Sequence, residues 1–510
     1  VTGAEERLAE ETHLATRNAL KLGSSLLFTG LIAIAMRLWL PRYLGPERFG
    51  VLSFADALTG TFFVALSLGA DIYVRKHVSV RPEHASDFFG GTLMLRALAA
   101  AVILGAMAVT MEWTGRPPEV RLVVYLFAFF QFFVNANATL SALLHAKGTV
   151  GGVSVLAVVS KLVWAAGTLF VIVTGGGIWG FALAYLASEA LKSVALYYLA
   201  RRHLGLVFRV DVRATRAMVI SSLPYYLNTV ATTAYGKLGL TLLGFFSASV
   251  VEVGYYAVAL AIAGLTLLAT PLIEWVLMPM FARAAARSEE ELFARIRGAT
   301  EFIFAVAVPA SLLISLSASS CIDFVFGAGF APAALALGIL APTFVVTYVA
   351  IVYAITLLML DRAWTLTIIS LAGLAVNLLL NVTLIRPSLA FFGEGGGGAG
   401  AALAALGTEV FVTSAMVAVV GKRAFDRRGL TMIGKSLGVC VVVVIVDRLA
   451  LGLGPARLLL DAALYVVLAL SVGAVPTDQV VSVLKSVFDR RRRVSVAAEP
   501  TPATTSGEGR

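Results

Sequence analysis

Two cysteines and five histidines in 510 residues leave little for metal or redox chemistry. Cys321 and Cys440 fall in different apolar segments with no spacing partner, so the sequence supports neither a disulfide framework nor a metal site, and no cofactor is expected. Charge is also scarce, 14% of residues against about 25% in a soluble domain, which excludes an ordinary soluble globule. Phosphate-binding and zinc-protease motifs are missing, and no soluble stretch carries paired carboxylates, so an enzyme is not expected. A membrane glycosyltransferase or polymerase would need a sizeable catalytic loop, and no outside loop exceeds about fifteen residues. Glu5, Glu6, Arg7, Glu10 and Glu11 open the chain with no short apolar run and small-residue cleavage site behind them, so no cleavable signal peptide is expected.

What the chain has is apolar side chain: 59% of residues, with a mean hydropathy of +0.89 spread over its whole length. That pattern predicts an all-α polytopic membrane protein. Fourteen apolar segments are long enough to span: 22–40, 50–70, 89–111, 121–144, 153–173, 178–199, 217–246, 253–279, 301–320, 334–360, 364–385, 400–421, 434–453 and 456–475. With a cytoplasmic N-terminus, 28 of the 40 Lys and Arg fall on the cytoplasmic side, seven in outside loops and five within spans. This positive-inside bias accounts for the net charge of +10 without nucleic acid as a partner. Residues 282–298 read as an amphipathic surface helix, and Gly393–Gly398 as a flexible outside linker.

The chain also repeats itself. Residues 180–189 return as 400–409, with six of ten positions identical and a glutamate closing each copy. A weaker echo sets Glu47-Arg-Phe-Gly50 against Glu252-Val-Gly254, the glycines 204 residues apart. The offsets place span 6 on span 12 and the span 1–2 junction on the span 7–8 junction. A six-span unit preserves orientation, so the halves are expected to be related by an axis along the membrane normal. The expected layout is a cytoplasmic segment 1–21, an N-lobe 22–200, a linker 201–216, a C-lobe 217–421, two extra spans over 434–475, and a basic, disordered tail 476–510.

Arg42-Tyr-Leu-Gly-Pro-Glu-Arg-Phe-Gly-Val-Leu-Ser-Phe54 resembles the polysaccharide-export flippases, the oligosaccharidyl-lipid branch of the multidrug/oligosaccharidyl-lipid/polysaccharide exporter superfamily. Val253-Gly-Tyr-Tyr-Ala257, Phe326-Gly-Ala-Gly-Phe-Ala-Pro-Ala333, Val376-Asn-Leu-Leu-Leu-Asn381 with Pro387, and the repeated Gly-x-Ala-Leu-Ala-x-Leu-x-x-Glu follow in the family's order. The glycine-rich insert after Pro387 departs from the family, whose turn there is shorter. The resemblance implies transfer of an undecaprenyl-linked oligosaccharide from the inner to the outer leaflet of the cytoplasmic membrane, by alternating access. Membrane lipids and polysaccharide assembly proteins are the partners it implies. The rival readings are a small-molecule/cation antiporter of the same superfamily and, behind it, a membrane glycosyltransferase or polymerase.

Charge inside a span costs about 2.5–3.5 kcal/mol at the centre on insertion scales, so each case needs a partner or a wet cavity. Arg37, Arg96 and Lys192 lie near enough to span ends to snorkel. Lys161 and Lys237 are deeper and have no acidic residue three or four positions away. Lys237, Lys161, Arg37 and, at the inner end of span 2, Arg75 are the candidates for a cationic lumen that takes a pyrophosphate headgroup. Arg75 and Lys76 serve equally well as orientation charges. Glu409 has no basic residue within helical reach and is the sharpest candidate for proton or sodium coupling. Glu189, with Lys192 at i+3, is either a site or an intrahelical pair, and Asp56 is a third coupling candidate. Asn377 and Asn381 share a helix face and read as interhelical glue. Tyr225, Tyr226 and Tyr235 read as packing or as sugar-stacking faces.

Overall fold

The computed structural model describes residues 2–69, 85–247, 249–424 and 427–474, with Val74 and Val78. Among the described residues there is no strand, and each of the fourteen apolar segments is helical apart from its ends and short 3-10 stretches. Helix is what a bilayer demands, because the backbone must satisfy its own hydrogen bonds there. Helix α1 (Thr2–Phe63) carries the first two segments as two arms, broken at Gly45, where φ is +73°. Only glycine takes that conformation without strain, and Pro46 starts the second arm with its φ already set. There follow α2 (Ala85–Trp113), α3 (Pro118–Ala146), α4 (Val150–Val173), α5 (Ile178–Leu204), α6 (Val212–Phe246), α7 (Val251–Thr266), α8 (Thr270–Arg287), α9 (Glu289–Leu316), the short α10 (Ala318–Phe326), α11 (Ala333–Met359), α12 (Ala363–Phe392), α13 (Gly396–Val420), α14 (Arg427–Leu449) and α15 (Arg457–Val472).

Ten helical stretches among the described residues are long and apolar enough to cross a membrane. The difference from fourteen has physical causes. The two arms of α1 form one continuous stretch, α15 has only 16 residues, and α5 and α6 are long but more polar. The expected surface helix over 282–298 does not form. Ser288 ends α8 and caps α9 through its hydroxyl, which accepts from Glu291 N, so the segment is the corner between two long helices.

The two weak echoes meet. A Cβ on Gly50 would lie 2.0 Å from Val250 O, and a Cβ on Gly254 would lie 2.0 Å from Pro46 O. Both pairs are related by the same offset of 204, so the contact is reciprocal, as in an isologous interface. No side chain fits in that crossing of α1 and α7.

The glycine-rich loop is also different from the expectation. Gly396–Gly398 are buried in the first turn of α13, and Glu252 on α7 takes hydrogen bonds from Gly395 N (2.7 Å) and Gly398 N (3.3 Å). A carboxylate at a helix N-terminus satisfies orphan donors and meets the positive end of the dipole, which fixes the segment. Phe330 packs edge-on to Tyr255 beside it. The motifs around 50, 254, 330 and 395 therefore converge on one end of the molecule, the Gly45 end. The largest apolar core lies there and draws on both halves. Towards the opposite end there are two further cores, one in the second half with α14 and α15, and one of first-half residues that also takes in Met218 at the start of α6.

Candidate functional site

Helix α6 has one face towards each half of the chain. On one side Lys237 Nζ lies 3.0 Å from Asp56 Oδ2 and 3.4 Å from Asp56 O, on the second arm of α1. Gln131 Nε2 on α3 donates to Asp56 Oδ1 at 3.2 Å. The ammonium fits because residue 60 is glycine: a Cβ there would lie 2.4 Å from Lys237 Nζ. Thr61 and Thr241 share a hydrogen bond of 3.1 Å on the same interface. This corrects one expectation, since Lys237 is not unpaired, and it gives the coupling candidate Asp56 a cationic partner.

Within the first half, Glu189 on α5 accepts from Asn137 Nδ2 on α3 at 2.8 Å and lies 3.3 Å from Lys192 Nζ. Ser193 Oγ donates to Asn137 Oδ1 at 2.6 Å, so the asparagine is held as well. Lys161 Nζ sits 5.3 Å from the centre of the Trp164 ring, within cation–π range. Trp164 and Tyr185 are in turn 4.9 Å apart. Among the described residues, neither Lys161 nor Arg37 makes an ion pair, and Arg37 is exposed on the first arm of α1.

Arg96 does not snorkel. It is 1% exposed, and its guanidinium donates to Leu66 O (2.5 Å), Ser67 O (3.1 Å), Asn135 O (2.6 Å) and Thr139 Oγ1 (2.7 Å). Its donors satisfy carbonyls at the end of the second span, where a helix leaves its last acceptors unpaired. Arg75 and Lys76 lie outside the described residues.

On its other side α6 borders a cavity of about 320 Å³ between α6, α7, α11, α12 and α13. Its polar lining residues are Glu409, Asn377, Asn381, Thr343, Thr347, Tyr235 and Tyr256. Thr347 Oγ1 donates to Glu409 Oε1 at 2.6 Å, and no ion pair reaches Glu409 among the described residues. Asn377 Nδ2 donates to Thr408 Oγ1 at 2.9 Å, and Asn381 Nδ2 donates to Asn377 Oδ1 at 3.0 Å. Those bonds tie α12 to α13 and leave Asn381 Oδ1, which is fully buried, with no hydrogen-bond partner; Thr343 Oγ1 is likewise unpartnered. A carboxylate with free oxygen acceptors beside it suits a proton or a small hard cation. Tyr225 and Tyr226 are not part of this cavity: Tyr225 is exposed, and Tyr226 Oη donates to Ala65 O at 3.0 Å.

The structure thus divides the sequence candidates into an ion pair between α1 and α6, a saturated Glu189 cluster, and an open Glu409 cavity. Gln131, Asn137 and Thr347 were missed. For the first two there was a signal, since Gln131, Asn135 and Asn137 are amides in an otherwise apolar span.

A family model described as "Polysaccharide biosynthesis protein" matches residues 15–285. No curated protein matches the chain. Among solved structures, an inward-facing multidrug-resistance MATE transporter of the MOP superfamily aligns with a TM-score of 0.62 and 16% identity, over 82% of this chain and 98% of that one. The lipid II flippase MurJ in an inward closed conformation aligns with a TM-score of 0.60 and 13% identity, over 86% and 98%. A point mutant of the Vibrio cholerae MATE transporter VcmN gives 0.54 and 14%, over 81% and 99%. At these identities the likeness is one of fold, and this chain has the fold of those membrane transporters.

Proposed function

Since the chain belongs to the polysaccharide biosynthesis protein family, we propose that it is a flippase. It moves a polyprenyl-pyrophosphate-linked oligosaccharide from the inner to the outer leaflet of the cytoplasmic membrane, by alternating access. The observation that carries this reading is the sign of the charge inside the first half and against it. Arg37, Lys161, Lys192 and Lys237 face two carboxylates, Asp56 and Glu189. Arg96 is left aside because its donors are taken by carbonyls. In low dielectric, an excess of two cations favours a pyrophosphate and disfavours a cationic drug. Outward movement of each negative charge gains about 2.3 kcal/mol per 100 mV of inside-negative potential. Alternating access is supported by the cores, one of which joins the halves at the Gly45 end, whereas towards the other end there are two, bridged on the first-half side only by the start of α6. In this reading the Gly45 end is outside, both termini are cytoplasmic, and the Glu409 cavity couples transport to protons or sodium ions. Membrane lipids surround the polyprenyl tail, and polysaccharide assembly proteins receive the product.

A second reading, a small-molecule/cation antiporter, draws on the Glu409 cavity, whose one formal charge is negative. Proteoliposomes separate the two. Flipping of a labelled polyprenyl-pyrophosphate oligosaccharide, without uptake of an organic cation, is the expected result, and the reverse pattern would replace the flippase by the antiporter. Topology supplies a separate check: reporter fusions after residue 250 should report outside, and after residue 290 inside.

A further inference from the structure

We propose that Asp56 is an internal stand-in for the substrate's phosphate: it occupies Lys237 in the empty transporter and is displaced when a pyrophosphate binds. The inference rests on the flippase reading and deepens it. Among the described residues, Asp56–Lys237 is the ion pair that joins the first half of the chain to α6 and the second half. The other interhalf contacts along α1 and α6 involve no second carboxylate: Thr61 with Thr241, Tyr226 with Ala65 O, and Arg116, whose guanidinium donates to Gly244 O and lies over the Phe54 and Phe245 rings.

Three features make the pair replaceable. It is not sealed by packing: the Lys237 side chain is 31% exposed and that of Asp56 45%. A partly exposed pair is weak, on the order of 1 kcal/mol or less. Asp56 also has somewhere to go, because Gln131 Nε2 already holds its other oxygen on the first half. The ammonium itself lies over Gly60, where the missing Cβ leaves it room at the interface. A pyrophosphate carries more charge than one carboxylate and presents several acceptors, so it outcompetes Asp56 for Lys237, with Arg37 and Lys161 the further cations of the same half. Displacement breaks the charged tie between the halves when cargo is bound, so the empty transporter keeps it and the loaded one does not.

The experiment measures binding of inorganic pyrophosphate, and separately of polyprenyl pyrophosphate in nanodiscs, to the full chain and its variants. Asp56→Asn keeps the shape and the Gln131 contact while releasing Lys237, and should tighten pyrophosphate binding by about two- to fivefold, the factor corresponding to a partly exposed pair. Lys237→Ala should abolish the binding, and Asp56→Asn should add nothing to it. Thermal stability of each variant is followed in parallel. If Lys237→Ala loses binding but Asp56→Asn fails to tighten it in a folded protein, the pair is structural and this inference is overturned while the flippase reading stands. If Lys237→Ala binds as the wild type does, the flippase reading loses its headgroup site, and the inference goes with it. Tightening for the lipid-linked probe alone identifies the lipid headgroup as the anion; tightening for both identifies free pyrophosphate as a ligand too.

Discussion

Glu189 and Glu409 close the two copies of one ten-residue segment, and each accepts a hydrogen bond from the helix two spans earlier, Asn137 on α3 or Thr347 on α11. Beyond that shared bond their surroundings diverge. Glu189 has Lys192 one turn along and an asparagine itself fixed by Ser193. Glu409 has a hydroxyl, a cavity, and two unpartnered oxygens nearby. The recurring segment is the same while the chemistry around its glutamate differs: the groups that meet Glu189 are paired with one another, and those beside Glu409 include free acceptors. A saturated group resists change of partner, whereas a free acceptor in low dielectric is costly unless it binds something.

The largest expected effect breaks this comparison or establishes it. Glu409→Gln, assayed in vesicles at matched expression, should lower transport by at least about tenfold, the loss of some 1.4 kcal/mol of coupling. Glu189→Gln should be milder for transport and leave Lys192 unpaired. Equal rates for Glu409→Gln and the wild type across a pH series would return Glu409 to interhelical glue, and the two halves would then differ only in packing.

Arg96→Leu tests the structural use of charge in the first half. It leaves the carbonyls of Leu66, Ser67 and Asn135 without this donor and should destabilise the protein by roughly 3 kcal/mol, the scale for removing one side of a buried charged network. Thermal unfolding in detergent reads the loss. An unchanged midpoint would mean that water replaces the guanidinium and that Arg96 is not needed for the fold.

The smallest effect lies between the halves, in the linker. Asp211 caps α6 by accepting from Arg213 N (2.8 Å) and Ala214 N (3.0 Å). The bond to Ala214 is the main reason that its carboxyl is held below the usual carboxylate range, helped by Arg209 and Arg213. A depressed folded value means that the cap's contribution is present at neutral pH and lost only as pH falls through that depressed value. Asp211→Ala should therefore fray the first turn of α6 at neutral pH, seen as faster amide exchange, with little change in transport. A transport defect as large as that of Glu409→Gln would show that α6, not either site, controls the cycle.

Much of the architecture was legible in the residues. Each apolar segment was expected to be a helix and is one, because a bilayer leaves the backbone few other choices. The motifs around Gly50, Gly254 and Phe330 were visible as well, though not their purpose, which is to meet at one end. Less legible were segments whose local composition misleads. Gly393–Gly398 reads as a flexible linker, and the Glu252 carboxylate, some 140 residues earlier, makes it a helix start. Residues 282–298 have the composition of a surface helix, and Ser288 divides them.

Composition and pattern were enough to make the chain a helical membrane protein, to show a ten-residue segment recurring in it, and to mark the few charged residues inside its spans. Hydropathy and repetition are local or self-referring properties, readable without knowing what lies opposite. What each charge does came from the packing of distant helices. Lys237 and Asp56 are 181 residues apart and unpaired by any helical rule, yet antiparallel packing of α1 and α6 brings them to 3.0 Å. The same packing placed Arg96 on orphan carbonyls and left Glu409 beside open space. A charge in a span is expensive wherever it stands, so the sequence can mark it as significant. Whether it is neutralised, buried for structure or kept available depends on partners supplied by other helices.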